Sequence, residues 1–209
     1  ELIGGECSYW ACMPSKALLR PAQALRAAQH VRGAAEAITG TLDVAAVLAR
    51  LDAVASDWSD SGHVSWLDSA GIALARGHGR LSGVREVTVT DADGAERVLT
   101  ARHAVAICTG SDAVIPPIDG LRESAPWTSR EATSAQEIPD SLAVIGGGVV
   151  AVEMATAYAE LGATVTLIAR SGLLSTMEPF AGERVTAGLR ELGVTVHLNT
   201  DTHRVSRDA

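Results

Sequence analysis

Residues 143–170 read AVIGGGVVAVEMATAYAELGATVTLIAR. The spacing predicts a short buried strand over Leu142–Ile145, a tight turn at Gly146–Gly147–Gly148 and a helix over Val149–Leu161 that Gly162 stops. Gly146, Gly148 and Ala151 carry the GxGxxA spacing directly after a strand and at the opening of a helix. That context separates a dinucleotide-binding turn from a glycine-rich strand–helix turn with no ligand. Gly146 permits the turn. Gly148 offers no side chain to a pyrophosphate, and Ala151 lets the helix lie close to the strand. Val149 and Val150 follow in the first helical turn, where free N–H groups face the phosphate charge.

The pattern repeats downstream. Thr164–Ala169 reads as a second strand, Pro179–Leu192 as a helix stopped by Gly193, and Thr195–Leu198 as a third strand. Strands and helices alternating at this interval predict a parallel, doubly wound α/β sheet. Dinucleotide preference is read at the end of the second strand, where an acidic residue would accept hydrogen bonds from ribose hydroxyls. Here Ala169 and Arg170 stand in its place. Arg170 can pair with a 2′-phosphate, which favours NADPH over NADH. No second base lies in Leu173–Met177, so NADH stays an alternative and Arg170 has a second reading as a solvated surface residue.

Upstream, residues 12–37 are rich in Ala and Leu at helical spacing, and Asp43–Trp58 resumes that spacing with Thr41 or Asp43 as N-cap. A third helical stretch is expected over Asp60–Ala70. Ile72–Arg76 and Val84–Thr90 alternate as half-buried strands do, and Asp93–Gly94 predicts a hairpin before Glu96–Arg102. Ala104–Cys108 reads as a buried strand, and Pro116–Pro117 marks a crossing between domains.

The chain has 209 residues, 47% of them hydrophobic and 3% aromatic, so its core must be built from Ala, Val, Leu and Ile. A formal net charge of -8 argues against nucleic acid as partner. No apolar run reaches the length of a membrane span, and three cysteines without a disulfide framework suit a reducing compartment, which makes cytoplasm the expected location.

Two of those cysteines, Cys7 and Cys12, open the chain within GGECSYWACMPSKALL. Four intervening residues suit a local disulfide at a helix start, with Pro14 in the first turn. A loop so small constrains little unfolded-chain entropy, so such a bridge is better suited to opening and closing than to stapling. The helix N-terminus and Lys16 would favour the thiolate. Half a zinc site or buried thiols are the other readings. Zinc would need a second ligand pair, and the remaining cysteine, Cys108, sits in an apolar run.

GGECSYWACMPSKALL resembles the active-site segment of the flavin-dependent pyridine nucleotide–disulfide oxidoreductases, written GGTCxNxGCxPSKxLL. The resemblance extends over nearly all 209 residues and is weakest from 30 to 70. It implies a three-layer FAD/NAD(P)-binding fold holding parts of two Rossmann-like domains and a β-meander. Residues 1–113 would be the later part of an FAD-binding segment, and 114–209 an incomplete NAD(P)-binding domain. It implies FAD as cofactor together with NADP, or NAD, as redox partner.

By the same resemblance, Gly4 and Gly5 approach the FAD pyrophosphate, and Gly79 in RGHGRLSG lines the adenine side. Thr109, Gly110 and Ser111 in CTGSDAVIPPIDG pack near the flavin. Lys16 would lie at the reactive edge of the flavin and pair with Glu153, beside the nicotinamide. Cys12 would be the thiol nearer the flavin, and Cys7 the thiol that attacks a small-molecule disulfide. The bland alternatives are a surface helix lysine for Lys16 and a first-turn acid for Glu153. Acceptors other than a disulfide, namely a metal ion or a quinone, and a non-catalytic nucleotide-binding or redox-sensing role stand as rival readings.

The family's first glycine fingerprint, its second flavin element and its C-terminal dimerisation domain have no counterpart in this sequence. The chain therefore looks like an internal fragment of a longer, homodimeric enzyme. Ser8, Tyr9 and Trp10 also depart from the small or polar residues usual between the cysteines. They would either shape a substrate mouth or pack against a neighbouring element.

Overall fold

A computed structural model describes residues 2–207. In chain order the elements are α1 (Gly5–Tyr9), α2 (Cys12–Gln29), α3 (Val44–Val54), α4 (Ser61–Ser69), β1 (His78–Gly83), β2 (Glu86–Thr90), β3 (Glu96–Thr100), α5 (Ser129–Ser134), β4 (Ser141–Ile145), α6 (Val149–Glu160), β5 (Thr164–Ile168), α7 (Pro179–Glu191) and β6 (Thr195–His197), with single 3-10 turns at Ala35–Ala37 and Ser56–Trp58. The chain divides into two compact units.

Among the described residues, the smaller unit comprises 2–3 and 59–111. Its centre is the antiparallel meander β1-β2-β3. The Asp93–Gly94 turn forms as expected, with Gly94 at φ 83, and Asp91 Oδ1 accepts from the N–H groups of Asp93 and Ala95. Asp60 accepts from the Ile3 N–H (2.9 Å) and from Arg76 (2.6 Å), and these bonds hold its carboxyl below the ordinary carboxylate range.

Two expectations fail in this unit. Ile72–Arg76 is not a strand; pairing begins only at His78. Ala104–Cys108 forms no strand either, and Ile107 and Cys108 are exposed. A buried parallel strand exists only with neighbours on which to pair, and no described residue supplies one. Apolar composition alone does not create the ladder.

Among the described residues, the larger unit comprises 4–58 and 112–207. Its sheet runs β4-β5-β6 and is wholly parallel, with Leu142 opposite Val165 and Leu167 opposite Val196. Helices α6 and α7 make the crossovers and touch each other. The core gathers Met154, Ala155 and Tyr158 from α6, Val165 and Leu167 from β5, and Leu189 from α7. Gly162 (φ 103) and Gly193 (φ 85) end the two helices in the left-handed conformation that a side chain would oppose. Pro179 occupies the first turn of α7, where its missing N–H goes unfelt.

A second core joins the N-terminal helices to this sheet. Ala17, Leu18 and Leu19 of α2 and Val47 and Leu51 of α3 bury against Ala157 of α6 and Leu161 at its C-terminal cap. Asp43 caps α3, its carboxylate accepting from the Ala46 N–H at 3.0 Å. The long helix expected over residues 12–37 ends at Gln29. Contact thus groups residues 4–58 with the nucleotide-type sheet, whereas the sequence places a division at 113–114. The reason is this helix packing, which apolar periodicity along one segment cannot reveal. Short helix α5, absent from the sequence reading, carries a capping box: Thr128 Oγ1 accepts from the Arg130 N–H, while Glu131 accepts from the Thr128 N–H.

Candidate active site

Helix α2 begins at Cys12, and Cys7 lies in the preceding short helix α1. The two sulfurs are bonded, with Cα atoms 4.6 Å apart, and both cysteines are exposed. A disulfide at the surface on a helix N-terminus is open to attack, and the thiolate released at Cys12 would face the helix dipole favourably. Gly4 and Gly5 precede the pair with φ 123 and 68. No atom lies within 4 Å of where a Gly5 side chain would begin, so this left-handed backbone is open on its outer side.

Lys16 sits one turn beyond Cys12, and its Nζ donates to Glu153 Oε1 at 2.5 Å. Glu153 lies past the first turn of α6, so it is not the first-turn acid of the bland reading. Further along both helices, Arg26 of α2 pairs with Glu160 of α6, whose side chain is almost wholly buried. The Arg26 guanidinium is the charge partner of that buried carboxylate. Two ion pairs therefore cross between the cysteine-bearing helix and the helix that follows the glycine turn.

The glycine turn has the geometry its spacing predicts. Gly146 adopts φ 138, closed to other residues without strain, and its N–H donates to the Ile168 carbonyl at 2.9 Å. A side chain at Gly147 would begin 3.2 Å from the Ala169 Cβ, and one at Gly146 would begin 3.7 Å from the Ala151 Cβ. Nothing in the protein lies within 4 Å of the same point on Gly148, the N-cap of α6. The backbone conformation thus explains Gly146, and tight packing explains Gly147. The third leaves open space at a twelve-residue helix's N-terminus, beside exposed Val149 and Val150. The first intrahelical bond is Val152 N–H to the Gly148 carbonyl. The preceding N–H groups stay free for a phosphate, so these residues fit the pyrophosphate of a dinucleotide.

Arg170 is exposed just past β5, and Ala169 before it is buried. The Leu174 N–H donates to the Gly147 carbonyl at 2.7 Å, folding the post-β5 loop over the glycine turn. Sequence reasoning placed Gly147 in the turn but gave it no role, and it missed this loop; the clue was the middle glycine, at a position that GxGxxA leaves unspecified.

In the smaller unit, Gly79 lies within β1, where a side chain would meet Val87 Cγ1 at 3.5 Å, an ordinary strand contact. Thr109, Gly110 and Ser111 are exposed outside any strand, with Gly110 at φ 72.

The residues between the cysteines resolve differently from a substrate mouth. Tyr9 is buried (1% exposed), and Trp10 stacks on Trp58 with ring centroids 4.9 Å apart. The Arg130 guanidinium lies over Trp10 at 4.6 Å. Of the two expectations, packing against a neighbouring element is the one realised.

The fold and site define an α/β protein of the dinucleotide-binding fold type that displays a disulfide on a helix pinned to the helix after its glycine turn. The profile described as "Pyridine nucleotide-disulphide oxidoreductase" matches residues 1–209, and the chain belongs to that family. That family uses FAD and NAD(P)H. A mercuric reductase of Shigella flexneri is 38% identical over 98% of this chain and 36% of its own length. A dihydrolipoyl dehydrogenase of Chlorobaculum tepidum is 32% identical over 98% of this chain and 44% of its own. The solved Cu(II) complex of the HOCl-induced flavoprotein disulfide reductase RclA from Escherichia coli superposes with a TM-score of 0.79. It covers all of this chain and 43% of that one at 24% identity, a likeness of fold alone. The chain thus spans less than half the length of these relatives.

No described helix is long and apolar enough to cross a membrane. Among the described residues no group of three or more His, Cys, Asp or Glu could hold a metal ion.

Proposed function

We propose that this chain is the central portion of a flavoprotein reductase that uses electrons from NAD(P)H to open the Cys7–Cys12 disulfide and spends the resulting dithiol on a small-molecule disulfide. The observation that carries this reading is the exposed Cys7–Cys12 bond at the start of α2, with Lys16 of that helix bonded to Glu153 of the glycine-turn helix. Residues 1–113 would belong to the flavin-binding part of the parent and 114–209 to its nicotinamide-nucleotide part.

Gly146, Gly148, Val149, Val150 and Ala151 would hold the nucleotide pyrophosphate, with Arg170 reaching a 2′-phosphate and so favouring NADPH. Gly4, Gly5, Gly79, Thr109, Gly110 and Ser111 would contact FAD. When bound, the flavin accepts hydride and returns two electrons to a disulfide. The residues of the chain itself do the rest. Lys16 and Glu153 fix α2 against α6. Cys12 keeps its thiolate on the helix N-terminus. Cys7, exposed, attacks a substrate disulfide to give a mixed disulfide, which Cys12 then resolves to release the second substrate thiol. The net change is NAD(P)H, H⁺ and RSSR to NAD(P)⁺ and two RSH. The parent would be a cytoplasmic homodimer.

Mercuric reductases among the relatives favour a second reading. In it the reduced pair, two soft thiolates, takes a soft metal ion in place of a disulfide. Full-length protein assayed with NADPH and NADH against lipoamide, glutathione disulfide and Hg(II) separates the two. Turnover of a disulfide that Cys7→Ser abolishes supports the first. Turnover of Hg(II) alone supports the second. Equal turnover in a Cys7→Ser/Cys12→Ser variant would sink both.

A further inference from the structure

The loop between the cysteines is held at two neighbouring residues, Tyr9, which is buried, and Trp10. Trp10 caps α1, its N–H donating to the Glu6 carbonyl at 2.7 Å, and its own carbonyl accepts from Thr133 Oγ1 at 3.0 Å. One neighbour of its ring is Trp58, the other the Arg130 guanidinium. Trp58 is fixed in turn: its indole N–H donates to Asp52 Oδ1 at 3.1 Å, and Gln136 donates to the same oxygen at 3.0 Å. Ser56, Asp57 and Trp58 all hold left-handed backbone, with φ 56, 50 and 57. Three consecutive non-glycine residues stay in that conformation only where their surroundings over-determine it. This turn carries the Trp58 ring that stacks on Trp10.

Helix α1 has five residues, far too few to persist unaided. Cys7 rides on it, while Cys12 is carried by the well-packed α2. The position of Cys7 relative to Cys12 after the bond opens therefore depends on the burial of Tyr9 and on what holds Trp10. A held loop keeps one thiol at high effective concentration about the other, and ring closure is favoured in proportion.

We propose that the Trp58–Trp10–Arg130 stack is a positioning device that makes the Cys7–Cys12 pair more strongly reducing by keeping its sulfurs adjacent in the open dithiol. This rests on the reading that the pair cycles between disulfide and dithiol.

The test equilibrates the full-length protein in graded mixtures of reduced and oxidised dithiothreitol. Reduction passes two electrons and two protons to the pair as the reagent becomes its cyclic disulfide. Alkylation then traps the thiols, and mass spectrometry counts them at Cys7 and Cys12. Trp58→Ala lowers the closing constant about tenfold, about 30 mV towards the less reducing side. Arg130→Gln lowers it about threefold, Trp58→Phe restores it to within about twofold, and Trp66→Ala, at an exposed tryptophan of α4, leaves it unchanged. A Trp58→Ala protein with native circular dichroism and the parent midpoint overturns the proposal. If Trp58→Ala does not fold, Arg130→Gln decides, and an unchanged midpoint overturns it. A parent protein whose pair never titrates in any mixture removes the redox reading itself, a result distinct from a pair that titrates alike in every variant.

Discussion

Lys16 Nζ donates to Glu153 Oε1 at 2.5 Å, across 137 residues of sequence. The bond ties the cysteine-bearing helix to the helix that begins at the glycine turn. Lys16 is 60% exposed, so the pair adds little to stability, under about 1 kcal/mol. Its expected importance is alignment. In the full-length protein, Lys16→Met and Glu153→Gln should each leave thermal unfolding nearly unchanged while slowing disulfide turnover at least about tenfold. Stopped-flow single turnovers beside differential scanning calorimetry check this; unaltered rates in both variants would reduce the contact to a surface ion pair.

The lower tie, Arg26 to Glu160, is predicted to behave in the opposite manner. Removing the arginine strands a buried carboxylate, which is costly, although partial exposure of Arg26 moderates the loss. Arg26→Leu should destabilise the protein by about 2 kcal/mol, and adding Glu160→Met should recover most of it. Urea midpoints of the parent, single and double variants give the comparison.

Tyr158 is buried, and its hydroxyl donates to the Ala132 carbonyl at 2.8 Å. Burial pushes its pKa up from 10.0 to about 12. The folded protein therefore keeps the phenol neutral where the unfolded chain ionises, so stability falls as pH rises from 10.0 towards about 12. Tyr158→Phe should remove that alkaline slope and cost about 1–2 kcal/mol at neutral pH by leaving a buried carbonyl unpaired. Thermal melts between neutral pH and the alkaline limb would show a persisting slope if another group were responsible.

Glu131 is held below its usual 4.5, first by its hydrogen bond to the Thr128 side chain. A lowered folded pKa contributes stability that is present above 4.5 and lost as pH falls through the folded value. Acidification should loosen α5, the helix bearing Arg130 and Thr133 over Trp10, and Glu131→Gln should blunt that response. Amide exchange across residues 129–134 as a function of pH is the measurement.

Arg170 is expected to set nucleotide preference. Arg170→Ala should raise KM for NADPH about tenfold in the full-length protein with little change for NADH. Equal KM changes for both nucleotides would return Arg170 to the status of a solvated residue.

Much of the larger unit was legible in the sequence because its signals are local. Gly146 needs a positive φ, Gly162 and Gly193 end helices, and Asp43 caps one; each is a requirement of a few neighbouring residues. The glycine turn at the head of α6 follows from the same short-range rules. The Lys16–Glu153 pairing came from family resemblance, since no local pattern links residues so far apart.

What the sequence by itself determined was the chemistry on offer: two cysteines at a helix start, a glycine turn shaped for phosphate, and an arginine where an acid would stand. Only the tertiary structure decided how Trp10 is used, that residues 4–58 pack with the parallel sheet, and that Ala104–Cys108 is not a strand. Those outcomes depend on partners distant along the chain. A ring needs another face to stack upon and a strand needs a neighbour to bond. Neither requirement leaves a mark in the residues that carry it.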